Sequence, residues 1–203
     1  AIRESGLRGI MPCYCSIDGE PVHSSKGLIT GLLREEMGFD GLVVSDYGGV
    51  GNTHNVQCVG ETEAQAGFLC MEAGVDVETP SATGYNGELL RQFARGEADV
   101  GVLDAAVLRV LEAKFRMGLF EHPCALRGDA LKAAFYRDDD RNISLQSARE
   151  SMVLLKNNGA LPLARTVKRI ALIGPHADCA RKFFGGYTHL CMMESTYAIA
   201  NSI

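Results

Sequence analysis

Apolar positions along the chain follow two alternating rhythms. Short continuous apolar runs of strand length are each followed by stretches with apolar residues three and four apart. Residues 7–14 read as a strand that leads into a turn at Asp18-Gly19. Ser24 or Ser25 is placed to cap a helix carrying Leu28, Ile29, Leu32, Leu33 and Met37, with Gly38 as its stop. Residues 41–46 form a continuous apolar run that ends in a carboxylate, the pattern of a strand buried on both faces. Thr62 is placed to cap the next helix, which carries Ala66, Phe68, Leu69 and Met71 and stops at Gly74. Residues 75–79 read as a further strand ending at Pro80. A short helix over 87–95 follows, then a longer one over 103–117. Its Val107, Leu108, Leu111 and Phe115 form one stripe.

Strand–helix units in succession predict an α/β fold with a parallel sheet and right-handed crossovers. The pattern fits part of a (β/α)8 barrel or of a doubly wound sheet, and both place chemistry at the carboxyl ends of the strands. Residues 121–141 change character, with Pro123, Gly128 and the charged run 137–141, and read as a linker holding at most a short helix. The expected division is a first domain over 1–120, a linker over 121–141 and a second α/β domain beginning at 142. In that second part, 144–156 is amphipathic, with Leu145, Ala148, Met152 and Leu155 in register. Asn157-Asn158-Gly159 ends it, and 169–174 reads as a buried strand.

Composition narrows the function classes. Of 203 residues, 46% are hydrophobic and 22% charged, enough apolar content to bury a core and exclude wholesale disorder. No apolar run is long enough for a transmembrane helix, so no membrane partner is expected. The net charge of -5, with both signs interspersed, gives no basic patch for nucleic acid. Seven cysteines, an odd and scattered set, read as reduced and mostly buried thiols, which favours a cytoplasmic setting. Cys13 and Cys15 lack a second ligand pair, so no metal is expected. Gly174 without G-x-G-x-x-G, and the short Gly185-Gly186-Tyr187 loop, give no nucleotide or phosphate motif. No cofactor is expected.

Asp46 is the most informative residue. It ends an apolar strand and is followed by Tyr47-Gly48-Gly49, so it should project into a strand-end cleft as nucleophile, base or ligand, or else serve the turn itself. Tyr14 follows the preceding strand in the same way: either its hydroxyl reaches a neighbouring strand-end group, Asp46 among them, or, as the residues alone favour, it is an interfacial tyrosine with its ring in the barrel wall. Glu78, at the end of the third strand, is either a partner carboxylate or, as the residues alone favour, a solvated rim residue or salt-bridge partner. His23, His54, His176 and His189 read as ordinary surface histidines.

Several stretches together carry a family resemblance. They are Gly9-Ile-Met-Pro-Cys-Tyr14, then Ile17-Asp-Gly-Glu-Pro-Val-His23, then residues 32–47 ending in Val44-Ser-Asp-Tyr47. Glu72-Ala-Gly-Val-Asp-Val-Glu-Thr-Pro80, residues 148–163 and residues 169–178 continue in the same order. The chain resembles the glycoside hydrolase family 3 β-glucosidases and β-xylosidases over nearly its whole length. The resemblance implies the C-terminal part of a (β/α)8 TIM barrel, followed by the start of a second α/β sandwich domain. It implies a retaining, exo-acting β-glycosidase acting on β-linked oligosaccharides or aryl and alkyl glycosides, without metal or cofactor. Asp46 of the S-D-[WY] motif would be the nucleophile. Tyr14 of the M-x-x-Y motif would lie in the sugar site, and Tyr47 would wall that site where many members carry Trp.

The resemblance has gaps. The family's Lys-His pair and upstream sugar clamps have no counterpart before Leu7, and its acid/base Glu lies beyond the first strand of the second domain. Neither Glu78 nor Glu194 matches that position. The chain is therefore expected to be an internal fragment, inactive and poorly soluble alone. The alternatives are a non-catalytic carbohydrate-binding protein on the same fold, or a β-N-acetylglucosaminidase of the same family.

Overall fold

The computed structural model describes residues 2–135, 137–179, 187–189 and 192–193. Gly185, Gly186, Cys191 and Glu194 lie outside these residues. The chain divides after Gly128 into two units.

The first unit is α/β. A short helix α1 (Ile2–Ser5) precedes strand β1 (Gly9–Ile10). A hairpin follows, β2 (Ser16–Ile17) against β3 (Glu20–Pro21). Its two turn residues, Asp18 and Gly19, both have positive φ, which is why the Asp-Gly pair stands there. A 3-10 turn (Val22–Ser24) leads into a π-type helix (Gly27–Glu36). The Ser25 hydroxyl accepts from the Leu28 N–H at 3.3 Å and so caps the entry. Strand β4 (Leu42–Tyr47) comes next, then α2 (Gly49–Asn55), α3 (Glu63–Ala73), β5 (Val77–Thr79), α4 (Gly87–Arg95) and α5 (Val100–Arg116).

Strands β1, β4 and β5 form one parallel sheet, in the order in which the chain supplies them. Helices make both crossovers, as a parallel sheet requires. The core lies under β4, where Val43 and Val75 pack with Ile29, Phe39, Val50, Cys70 and Ala73. A second cluster, Ala64, Met71, Leu89 and Ala106, joins α3, α4 and α5. Small residues let α3 sit deep: a Cβ on Gly67 would lie 2.3 Å from the Gly84 carbonyl oxygen. Thr62, Asn86 and Asp99 cap α3, α4 and α5 with side-chain oxygens.

Five expectations change. The strand over 7–14 is only Gly9–Ile10. Strand β4 is not buried on both faces: Val43 and Ser45 are buried while Leu42, Val44 and Asp46 are half-exposed. In the π-type helix, Met37 N–H bonds to the Leu32 carbonyl at 2.9 Å, an i→i−5 closure. The wider turn leaves Ile29 inside and turns Leu32 and Met37 outward. In α5 the inward stripe is Val102, Ala106 and Arg109, because Arg109 must reach Asp76; Val107, Leu108, Leu111 and Phe115 are exposed. The cysteines are not mostly buried: among the described residues Cys70 is buried, Cys179 is intermediate, and 13, 15, 58 and 124 are exposed. Burial pushes the Cys70 thiol up to about 12.

The second unit opens with α6 (Gly128–Phe135), whose first residue Gly128 is the last of the first unit, and continues with α7 (Asp138–Glu150). Helix α7 begins before the expected amphipathic stretch, because Asp138, Asp139 and Asp140 fill its first turn, where carboxylates face the positive end of the helix dipole. It stops at Glu150. Asn157 then organises a separate turn, accepting from Gly159 N–H and Leu161 N–H and donating to the Leu161 carbonyl. Residues 169–174 are not a paired strand, and Ile170, Leu172 and Ile173 are exposed. A strand forms only against a neighbour, and none lies beside this segment among the described residues. No helix among the described residues is long and apolar enough to cross a membrane.

Candidate active site

Asp46 sits at the carboxyl end of β4, the central strand of the parallel sheet. The ladder slips there. Val44 pairs with Val77 and Tyr47 with Thr79, so β4 takes three steps where β5 takes two. The extra residue falls at Ser45–Asp46, and a bulge of this kind re-aims a side chain at a strand end. Side-chain bonds replace the ladder. Ser45 Oγ accepts from Thr79 N–H at 2.9 Å, and the Thr79 hydroxyl donates to the Ser45 carbonyl at 2.8 Å. Gly48 N–H donates to the Thr79 carbonyl at 2.8 Å. Gly48, with φ of 68°, turns the chain into α2.

The Asp46 carboxylate is half-exposed, and its Oδ1 accepts from Tyr47 N–H at 2.7 Å. Tyr14 reaches this strand end as expected: its hydroxyl donates to the Tyr47 carbonyl at 2.7 Å. The contact is thus with the main chain following Asp46. Gln57 Nε2 donates to the Tyr14 carbonyl at 2.9 Å and to Ser16 Oγ at 3.2 Å, fixing the loop that carries Tyr14. Tyr47 is 70% exposed, an aromatic face open to solvent beside the carboxylate.

His23 is not a surface histidine. It is 1% exposed, its Nε2 accepts from Asp46 N–H at 3.3 Å, and its ring lies 6.4 Å from that of Tyr14. A Cβ on Gly49 would lie 2.3 Å from His23 Nε2, so the start of α2 is moulded to the imidazole. Burial pulls the His23 pKa below the ordinary 6.5, against smaller upward pulls from the Asp46 charge and a hydrogen bond to the Cys13 main chain. The sign follows for stability. As pH falls through 6.5 the unfolded chain takes up a proton on His23 that the folded chain refuses, so stability falls toward the lowered value. The thermal midpoint should therefore drop as pH falls from neutral through 6.5, and His23→Gln should flatten that drop. Parallel curves for the two proteins would refute it.

Glu78 is neither a rim residue nor a free partner. Its oxygens accept from the N–H groups of Thr83, Gly84 and Tyr85 at 2.7 to 3.1 Å and hold the loop after β5. Asp76, at the other end of that strand, has a fully buried carboxylate gripped by Arg34 and Arg109 and by Val43 N–H. His54 is half-buried, with Nδ1 3.2 Å from the Gly60 carbonyl; His176 and His189 are exposed. Among the described residues no group of three or more His, Cys, Asp or Glu is placed to hold a metal.

Comparison with known proteins gives a uniform result. Residues 1–113 match the description "Glycosyl hydrolase family 3 N terminal domain", and residues 152–203 match "Glycosyl hydrolase family 3 C-terminal domain". A β-xylosidase of Formosa agariphila is 32% identical over 205 residues, covering 94% of this chain and 28% of that protein. A β-glucosidase of Rhizobium radiobacter is 35% identical over 188 residues, covering 92% and 21%. The crystal structure of a Listeria innocua β-glucosidase in complex with gluconolactone superposes with a TM-score of 0.69 at 35% identity, covering 80% of this chain and 22% of that one. The chain thus spans about a quarter of the length of the curated relatives it matches.

Proposed function

The chain belongs to glycosyl hydrolase family 3, and from that premise we propose that the whole protein is a retaining, exo-acting β-glycosidase of the β-glucosidase or β-xylosidase type. The parallel strands, laid down in chain order, are read as the C-terminal part of a (β/α)8 barrel. One observation carries the functional reading: a half-exposed carboxylate, Asp46, stands on a bulge at the carboxyl end of the central strand, with its own N–H bonded to His23 and the next residue's carbonyl bonded to Tyr14.

In this reading the Oδ2 of Asp46 attacks the anomeric carbon while the leaving oxygen takes a proton from an acid. A covalent glycosyl ester forms, and water then cleaves it with a second inversion. Oδ1, held by Tyr47 N–H, fixes the carboxylate plane. Tyr47 and Tyr14 offer aromatic faces to the sugar ring. The acid must stand about 5–5.5 Å from Asp46. Glu78 is committed to the loop over 83–85 and Asp76 to its arginines, so neither is free for that role, which the family resemblance assigns to a Glu beyond the first strand of the second domain. Substrates are β-linked oligosaccharides or aryl and alkyl glycosides of glucose or xylose type.

Trapping tests the reading directly. A 2-deoxy-2-fluoro β-glycoside with a good leaving group slows both steps, but hydrolysis of the ester more, so the adduct accumulates. Peptide mass mapping of the whole protein should find the fluorosugar on Asp46. An adduct on another residue, or steady turnover with no adduct, would overturn the assignment.

A further inference from the structure

We infer that His23 is a positioning residue for the reacting carboxylate: its Nε2 takes the place of a strand partner for the backbone N–H of Asp46. The inference rests on the reading of Asp46 as nucleophile. The geometry behind it starts from the sheet. The β1–β4 ladder runs over Gly9↔Leu42 and Ile10↔Val43, before Asp46 is reached. On the other side the bulge takes Ser45–Asp46 out of the β4–β5 ladder. Asp46 N–H therefore needs a partner from outside the sheet, and leaving such a group unpaired is costly. His23 supplies it, from the 3-10 turn before the π-type helix.

The imidazole is held rigidly enough to act as a fixed point. It is buried, flanked by the Tyr14 ring and capped by Gly49, where no side chain fits. An Nε2 that accepts is unprotonated, so the ring is the neutral tautomer with its proton on Nδ1. Burial favours that neutral form. One residue thereby ties three things together: the loop carrying Tyr14, the start of α2, and the main chain from which the carboxylate projects. A shift of about 1 Å at a reacting group can cost on the order of 100-fold in rate. His23 acts through Asp46 and touches no substrate in this scheme.

The test uses the whole protein and three substitutions, assayed on an aryl β-glycoside. His23→Leu fills the volume without an acceptor. His23→Gln offers Oε1 to the same N–H. Asp46→Asn reports on the nucleophile itself. The expected result is that His23→Leu lowers kcat by about 10- to 100-fold with KM little changed, that His23→Gln recovers most of it, and that Asp46→Asn is inactive. An inactive Asp46→Asn beside an unimpaired His23→Leu would sink this inference alone. Equal losses in Leu and Gln variants would reduce His23 to space-filling and sink it too. Retained turnover in Asp46→Asn would sink the nucleophile reading, and this inference with it. Should His23→Leu fail to fold, nitrogen-15 histidine spectra of the wild-type protein decide. An unprotonated Nε2 coupled across a hydrogen bond to the Asp46 amide supports the inference, and a protonated Nε2 overturns it.

Discussion

Replacing Asp46 by asparagine should lower turnover of an aryl β-glycoside by at least about 1,000-fold while leaving the protein folded. The substitution is close to isosteric. Asparagine keeps an oxygen that can accept from Tyr47 N–H, and the backbone bond to His23 is untouched. What disappears is the negative oxygen that attacks the anomeric carbon, so the loss falls on kcat. Asp46→Gly sharpens the test, because it opens a space for a small anion. Azide entering there displaces the aglycone in one step, not two, and the product is the α-glycosyl azide. Recovery of that inverted product identifies Asp46 as the nucleophile and not the acid. A β-glycosyl azide would reassign Asp46 as the acid/base, and full activity in Asp46→Asn with an unchanged thermal midpoint would remove it from the mechanism.

The features of this site that were readable from sequence are those written in local chemistry. Asp18-Gly19 encodes its own tight turn, Thr62 accepts from the Gln65 N–H three residues on, and Gly74 takes the positive φ that ends α3. Asp46 was legible because a carboxylate after Leu42-Val43-Val44 has to emerge at a strand end. What stayed hidden depends on distant partners. His23 meets Asp46 across 23 positions, and a Val-His-Ser stretch carries no sign of it. Helix α2 was missed because Gly49-Val-Gly-Asn is poor helical sequence. Its glycines are there for contact: a Cβ on Gly49 would strike His23, and one on Gly51 would strike Thr83. The Tyr14 hydroxyl, expected at a neighbouring strand end, bonds the Tyr47 carbonyl there. Hydrophobic spacing also misjudged α5, since a buried ion pair and not an apolar stripe decides which face turns inward.

That ion pair carries the largest expected effect on stability. The Asp76 carboxylate is fully buried. Its Oδ2 accepts from Arg34 at 2.8 Å and from Val43 N–H at 2.8 Å, and its Oδ1 accepts from Arg109. Arg34 also donates to the carbonyls of Gly41 and Gly74, at 3.0 Å each. One carboxylate thus joins the π-type helix, β4, the start of β5 and α5. Removing it by Asp76→Ala leaves two guanidinium groups and a buried N–H without their partner, so the cost should be about 3–5 kcal/mol. Folded domains have a margin of only about 5–15 kcal/mol, so a loss of that size takes a fifth or more of it. The control is Asp40, whose pairs with Arg8 and Arg116 lie at the surface with side chains half or more exposed. Water and salt screen such pairs, and Asp40→Asn should leave stability nearly unchanged. Urea unfolding of the two variants beside the wild type measures both. If the midpoints for Asp76→Ala and Asp40→Asn coincide, burial does not set the strength of the Asp76 pairs, and Asp76 is not the tie that fixes the inward face of α5.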